Sequence, residues 1–189
     1  MVQARPQSIT LETFLALPET KPASEYIDGH IIQKPMPQGK HSTVQRDFTM
    51  TVEVALKPGC IGRAFPELRC TFGGRSIVPD VSVFIWSHIP RDVDGTIANQ
   101  FAILPDWVVE ILSPDQSHTK VTKNILHCLK HGTQLGWLID PDEQTIFVYN
   151  PDRSLHVFDL ESPNDRLPVP EFASDINLTV QTVMNWLIE

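Results

Sequence analysis

A chain of 189 residues is long enough to bury a core of its own, and residues 1–189 are read as one domain. Its apolar (41%) and charged (20%) fractions are those of soluble globular proteins, and no apolar run approaches the roughly 20 residues of a membrane-crossing helix. The net charge of −8 argues against a general nucleic-acid binder without vetoing contact with DNA. The charge is uneven, however. Residues 1–79 carry 9 Lys/Arg against 7 Asp/Glu, and residues 80–189 carry 6 against 16. Lys34, Lys40, Arg46, Lys57, Arg63, Arg69 and Arg75 are numerous enough to line one groove. Met1 to Pro6 holds no apolar signal core, which makes the cytoplasm the expected compartment. Cys60, Cys70 and Cys128 match no zinc spacing and are expected to be reduced thiols.

In chain order, Thr10 is positioned to cap a short helix over Leu11 to Leu17, closed by Pro18. Asp28-Gly29 between Glu25-Tyr26-Ile27 and His30-Ile31-Ile32 predicts a hairpin with a two-residue turn. Val44, Phe48, Val52, Ala55 and Leu56 recur at helical spacing over 41–56, and Pro58-Gly59 stops them. Strands are predicted near 61–72 and 78–86, separated by Gly73-Gly74. Residues 87–105 have no period, and a loop that long is often a flap or binding element. A strand over 107–112 is followed by a helix over 118–131, stopped by Gly132. Trp137 to Ile139, Thr145 to Tyr149 and Leu155 to Phe158 form a meander, and 176–188 a closing helix. This order predicts an α/β (α+β) fold: a mixed central sheet flanked by helices.

The chemistry concentrates between Pro79 and Lys120. Pro-Asp occurs five times and means little alone, since three copies sit where turns are predicted. Asp80 differs because the apolar run Val81 to Trp86 starts immediately after it. It is either a strand-start cap or a site acid. Glu110 lies within Trp107-Val108-Val109-Glu110-Ile111-Leu112, with apolar neighbours on both faces, so its strand is central and buried. A buried acid is costly to desolvate; it is either salt-bridged or functional. Lys120 falls in the first turn of the following helix if Ser117 caps it. The positive end of the helix dipole disfavours a cation there by about 0.3–1 kcal/mol, which makes more sense if an anion is bound nearby. On the helical wheel Lys120 borders the stripe of Val121, Ile125, Cys128 and Leu129, whereas Lys123 points toward water. A lysine that merely lays its stem along that border remains the alternative. His41 shares a face with Val44 and Phe48, and is either a packed or hydrogen-bonded core histidine or a ligand-side or phosphate contact. Asp92-Val93-Asp94-Gly95 lacks the remaining spacing of a calcium loop.

Pro79-Asp80 and Glu110 with a lysine on the next helix resemble the PD-(D/E)xK nuclease superfamily. The whole chain more closely resembles the Uma-two group of restriction-endonuclease-like proteins, abundant in cyanobacteria. The matching pieces are Glu25-Tyr26-Ile27-Asp28-Gly29, Gly39-Lys40-His41-Ser42, Val78-Pro79-Asp80-Val81-Ser82, Val109-Glu110-Ile111-Leu112-Ser113-Pro114 and Gly136-Trp137-Leu138-Ile139-Asp140-Pro141. Together they span most of residues 8–188. The resemblance implies a restriction-endonuclease-like fold and metal-dependent hydrolysis of DNA. It implies Asp80, Glu110 and the Ile111 carbonyl as ligands of Mg²⁺ or Mn²⁺, with Glu25 completing the shell or standing only as a strand acid. Lys120 would neutralise charge on the scissile phosphate, and Lys40, His41 and Lys123 are the implied substrate contacts. A homodimer is a further implication.

The departures are informative. The superfamily's lysine position two residues after the acid is Leu112 here, and many members of the group carry a helix lysine where this chain has Asn124. A weak or inactive relative serving as a nucleic-acid or protein binding module is therefore the competing expectation, with a plain structural domain as the third.

Overall fold

The structure, a computed structural model, describes residues 8–114 and 116–188. The reading of Met1 to Pro6, and the acid of the Pro-Asp pair at 114–115, lie outside the described residues. Helix α1 (Leu11–Leu15) opens the fold, with the Thr10 hydroxyl accepting from the Thr13 N–H as predicted. Strands β1 (Ser24–Ile27) and β2 (His30–Gln33) form the predicted hairpin. Asp28 (φ 51°) and Gly29 (φ 88°) both adopt the positive φ that a type I′ turn demands. The Lys34 N–H donates to the Ala23 carbonyl at 2.9 Å and so carries the ladder one step past the strand.

Helix α2 (Gly39–Leu56) follows, then β3 (Gly62–Pro66), β4 (Cys70–Phe72), β5 (Arg75–Ile77) and β6 (Val81–Ile85). The two strands expected over 61–72 and 78–86 are thus four. Glu67 turns the chain at φ 48°, and Pro79 has no N–H to continue a ladder. The middle pieces leave the large sheet and join the hairpin instead.

After β7 (Trp107–Ile111), α3 (His118–His131), β8 (Leu135–Asp140), β9 (Thr145–Tyr149), β10 (Leu155–Phe158) and α4 (Val180–Asn185), the strands fall into two sheets. One has the order β2-β1-β5-β4, the other β10-β9-β8-β7-β6-β3. Only β7 and β8 run parallel, joined through α3; the other pairs are antiparallel. The closing helix is shorter than the expected 176–188.

One face of the large sheet packs Trp107, Val109, Ile111 and Trp137 against Val44, Phe48, Val52 and Leu56 of α2 and the C-terminal Val180 and Val183. The other packs Val108 and Leu138 under Val121, Ile125 and Cys128 of α3, beside Cys70 and Ile77 of the small sheet. The predicted stripe of α3 is therefore buried. Gly136 lets α3 come close: a Cβ there would stand 2.3 Å from Ile125 Cγ2. Residues 87–105 are anchored near their two ends and exposed over 91–96. Ile89 and Phe101 are buried, and Phe101 bridges Cys70 at the far side of the small sheet. Cys60 is exposed and Cys70 and Cys128 are buried, all free thiols. No helix among the described residues is long and apolar enough to cross a membrane.

Candidate active site

Strand register assembles the acids. In the antiparallel β6–β7 pair Val81 opposes Val109, so one step further Asp80 opposes Glu110 on the same face. The Ile111 N–H then donates to Asp80 Oδ2 at 2.7 Å. On the hairpin Glu25 opposes Ile32, and Lys34 lies two residues beyond Ile32, on the same side. Helix α2 supplies His41, with Nε2 3.1 Å from Asp80 Oδ2, and Gln45, which donates to the Asp80 carbonyl at 2.8 Å. From α3, Asn124 Nδ2 donates to Glu25 Oε2 at 3.2 Å, while Glu25 Oε1 accepts the Val78 N–H at 2.8 Å. Five segments thus converge at the edge where the two sheets meet.

At the centre is a residue that the sequence pattern marked only as one of the basic ones. Lys34 Nζ donates to Asp80 Oδ1 at 2.6 Å and to the Val78 carbonyl at 2.7 Å, and stands 3.6 Å from Glu110 Oε2. Its side chain is 13% exposed, those of Asp80 and Glu110 2% each. Strand parity was the signal available: a lysine in step with Ile32 and Glu25 has to point to the side where the hairpin's acid points.

The four charges are unequal. Burial pushes the Asp80 carboxyl up, but the Lys34 charge and the hydrogen bonds from His41 and Lys34 outweigh it and hold the group well below the usual carboxylate range. Glu110 goes the other way: burial raises it, Lys34 opposes, and the Asp80 and Glu25 charges raise it further. Glu25 is raised, mainly by burial, against the pull of Lys34 and the hydrogen bonds from Val78 and Asn124. Burial alone would lower Lys34, yet Asp80, Glu110 and Glu25 together raise it. Asp80 is thus shifted toward its ionised form and Lys34 toward its ammonium form, while Glu110 and Glu25 are shifted toward their protonated forms. An ionised carboxylate only accepts, so the His41 Nε2 facing Asp80 carries the proton, and its Nδ1 is buried without a partner.

Of the other expected residues, Lys120 is exposed and borders the cleft beside Glu110, Asn124 and Ser117. Lys40 is exposed and ion-paired with Asp142. Lys123 is exposed and does not border the cleft. All seven basic residues named for a groove are paired with acids: Lys34 with Asp80, Lys40 with Asp142, Arg46 with Asp47, Lys57 and Arg63 with Glu53, Arg69 with Glu19 and Arg75 with Asp28. Two adjoining cavities open onto the acids. One of about 340 Å³ reaches Glu25, Glu110, Lys120 and Asn124, and one of about 330 Å³ reaches Asp80 and His41. Lys34, Pro35 and Gln116 line both.

Among the described residues no three His, Cys, Asp or Glu side chains gather into a ready metal cage. Both oxygens of Glu25 are already engaged. Asp80 and Glu110 nonetheless offer hard oxygen donors from neighbouring strands, and Glu110 Oε1 is buried with no hydrogen-bond partner. Two carboxylates fit a Mg²⁺-like ion, which keeps several waters and takes other ligands from a substrate phosphate.

The family described as Uma2, "Putative restriction endonuclease", matches residues 11–181. A crystal structure of a "putative nuclease belonging to DUF820" from Anabaena variabilis ATCC 29413 is similar at 64% identity and a TM-score of 0.92. The match covers 95% of this chain and 99% of that one. No curated protein matches.

Proposed function

The chain belongs to the Uma2 family, and on that premise we propose that it is a nuclease hydrolysing DNA phosphodiester bonds, with Mg²⁺ or Mn²⁺ held by Asp80 and Glu110. One observation carries the reading: two carboxylates face each other across neighbouring strands, 2.6 and 3.6 Å from one ammonium, at the floor of open cavities. A salt bridge made only for stability is seldom built this way, because desolvating two acids for one lysine leaves a carboxyl uncompensated.

In the hydrolysis a water oxygen bonds to phosphorus as one P–O ester bond breaks. The leaving oxygen takes a proton, and a phosphate monoester and a hydroxyl result. The bound ion would make the water more acidic and polarise the phosphate. His41 and the Ile111 N–H hold Asp80 ionised and oriented. Gln45 fixes the Asp80 backbone, and Glu25, pinned by Val78 and Asn124, forms the wall behind. A cation in the cleft offsets the charge that builds on the phosphate in the transition state. The protein would act as a homodimer, each copy cutting one strand, a reading that rests on the family resemblance.

Supercoiled plasmid incubated with Mg²⁺ or Mn²⁺ tests the proposal. Wild type and Lys123→Ala are expected to nick it, whereas Asp80→Ala and Glu110→Ala are not; equal nicking by all four would identify a contaminant. The binding-module reading has one observation in its favour, since Lys34 already supplies a cation to both acids. DNA retained in a gel shift with no nicking above the Asp80→Ala level would select it.

A further inference from the structure

We propose that Lys34, on the hairpin wall of the cleft, is the catalytic lysine that meets the scissile phosphate. The inference deepens the nuclease reading and rests on it. A lysine that compensates a phosphate must stand beside the acids and present a free edge to the substrate. Lys34 meets the first condition at 2.6 Å from Asp80 and 3.6 Å from Glu110. It meets the second because its side chain, 13% exposed, lines both cavities, where the two acids are almost wholly buried. Lys120 meets only the second: it is exposed on the cleft rim and makes no ion pair with Asp80, Glu110 or Glu25.

Position 124 is addressed from the opposite wall. Asn124 is 7% exposed, touches the cluster through Glu25 and lines the same cavity as Lys34 and Glu110. Its Oδ1, an acceptor, is buried without a donor. A lysine at 124 would carry a positive charge on the opposite wall of that cavity.

The test is a charge relocation with two readouts, plasmid nicking and binding of Mn²⁺ alone followed by electron paramagnetic resonance. Lys34→Met is expected to lower nicking by about 100-fold or more, the scale of losing one transition-state contact. It should still bind Mn²⁺ at least as well as wild type, because the competing ammonium has gone. Lys120→Met should lose less than about tenfold. Lys34→Met with Asn124→Lys should regain at least about tenfold over Lys34→Met, and Lys34→Arg, which keeps the charge, covers the case in which the methionine variant fails to fold. Nicking by folded Lys34→Met close to the wild-type level, or a Lys34→Met that loses Mn²⁺ binding while the double variant recovers nothing, would overturn the assignment to Lys34. A wild type that never exceeds Asp80→Ala would instead overturn the nuclease reading and the assignment with it.

Discussion

The two faces of β7 do opposite things with the same five residues. Trp107, Val109 and Ile111 point into a dry core, where Trp107 meets Phe48 and Trp137 edge-on at 5.1 Å. Glu110 points the other way, into a pocket of charges with one oxygen unsatisfied. The first face holds the fold by removing apolar surface from water. The second is held against its own desolvation by the first, because the strand that anchors the core also presents the acid. Burial stabilises the apolar side chains of both faces and is a liability at Glu110, and this is how a rigid frame carries a reactive group without collapsing around it.

The largest way to break that arrangement is through the core. Phe48→Ala should destabilise by about 3–5 kcal/mol, lowering the melting temperature by roughly 2–4 °C per kcal/mol for a chain of this size. The activity of the fraction still folded should change little, since Phe48 touches the rings and none of the acids.

Asp80→Asn comes next. It leaves the Lys34 ammonium without its ionised partner, at a cost of roughly 3 kcal/mol for breaking a buried pair. The pH dependence of that loss has a definite sign. Asp80 is depressed in the folded state, so its contribution is present above the ordinary aspartate value of about 3.9. It disappears only as pH falls through the lower folded value, and in strong acid wild type and variant should converge by thermal melting.

The smallest effect runs in the opposite direction. Glu110→Gln should stabilise the protein by about 1 kcal/mol, the usual size of a single favourable change. Glu110 is raised in the folded state, so its contribution to stability is full below the ordinary glutamate value of about 4.3 and is lost as pH climbs through the folded value. The melting-temperature advantage of the variant should therefore grow with pH and then level off. A Glu110→Gln that melts lower than wild type at neutral pH would mean that Glu110 is a partner the fold needs.

Much of this was legible in the chain. Asp28-Gly29 specified the hairpin because few residues accept positive φ, and the period of Val121, Ile125 and Cys128 located the buried side of α3. Asp80 and Glu110 stood out because an acid among β-branched and aromatic neighbours is costly to bury and seldom sits there without a partner or a task. Lys34 did not stand out, since a lysine near a strand end usually faces water, and nothing local indicates that the hairpin folds over residues 46 and 76 positions later. The split into two sheets was hidden for a similar reason. It depends on one positive φ at Glu67, a residue that seldom adopts it, and on a proline whose missing N–H matters only once its neighbours are known. Local chemistry read well, whereas which distant segments meet could not be read from either partner alone.

Gly136 gives the close seat of α3 another meaning. With only hydrogen beneath Ile125, the helix rests nearly on the sheet, and the next residue along it, Asn124, is level with Glu25. A single methyl group at 136 would act as a shim, tilting the helix outward and widening the aperture between Asn124 and the hairpin without touching any acid. The width of the cleft is thus gauged by a residue that has no side chain.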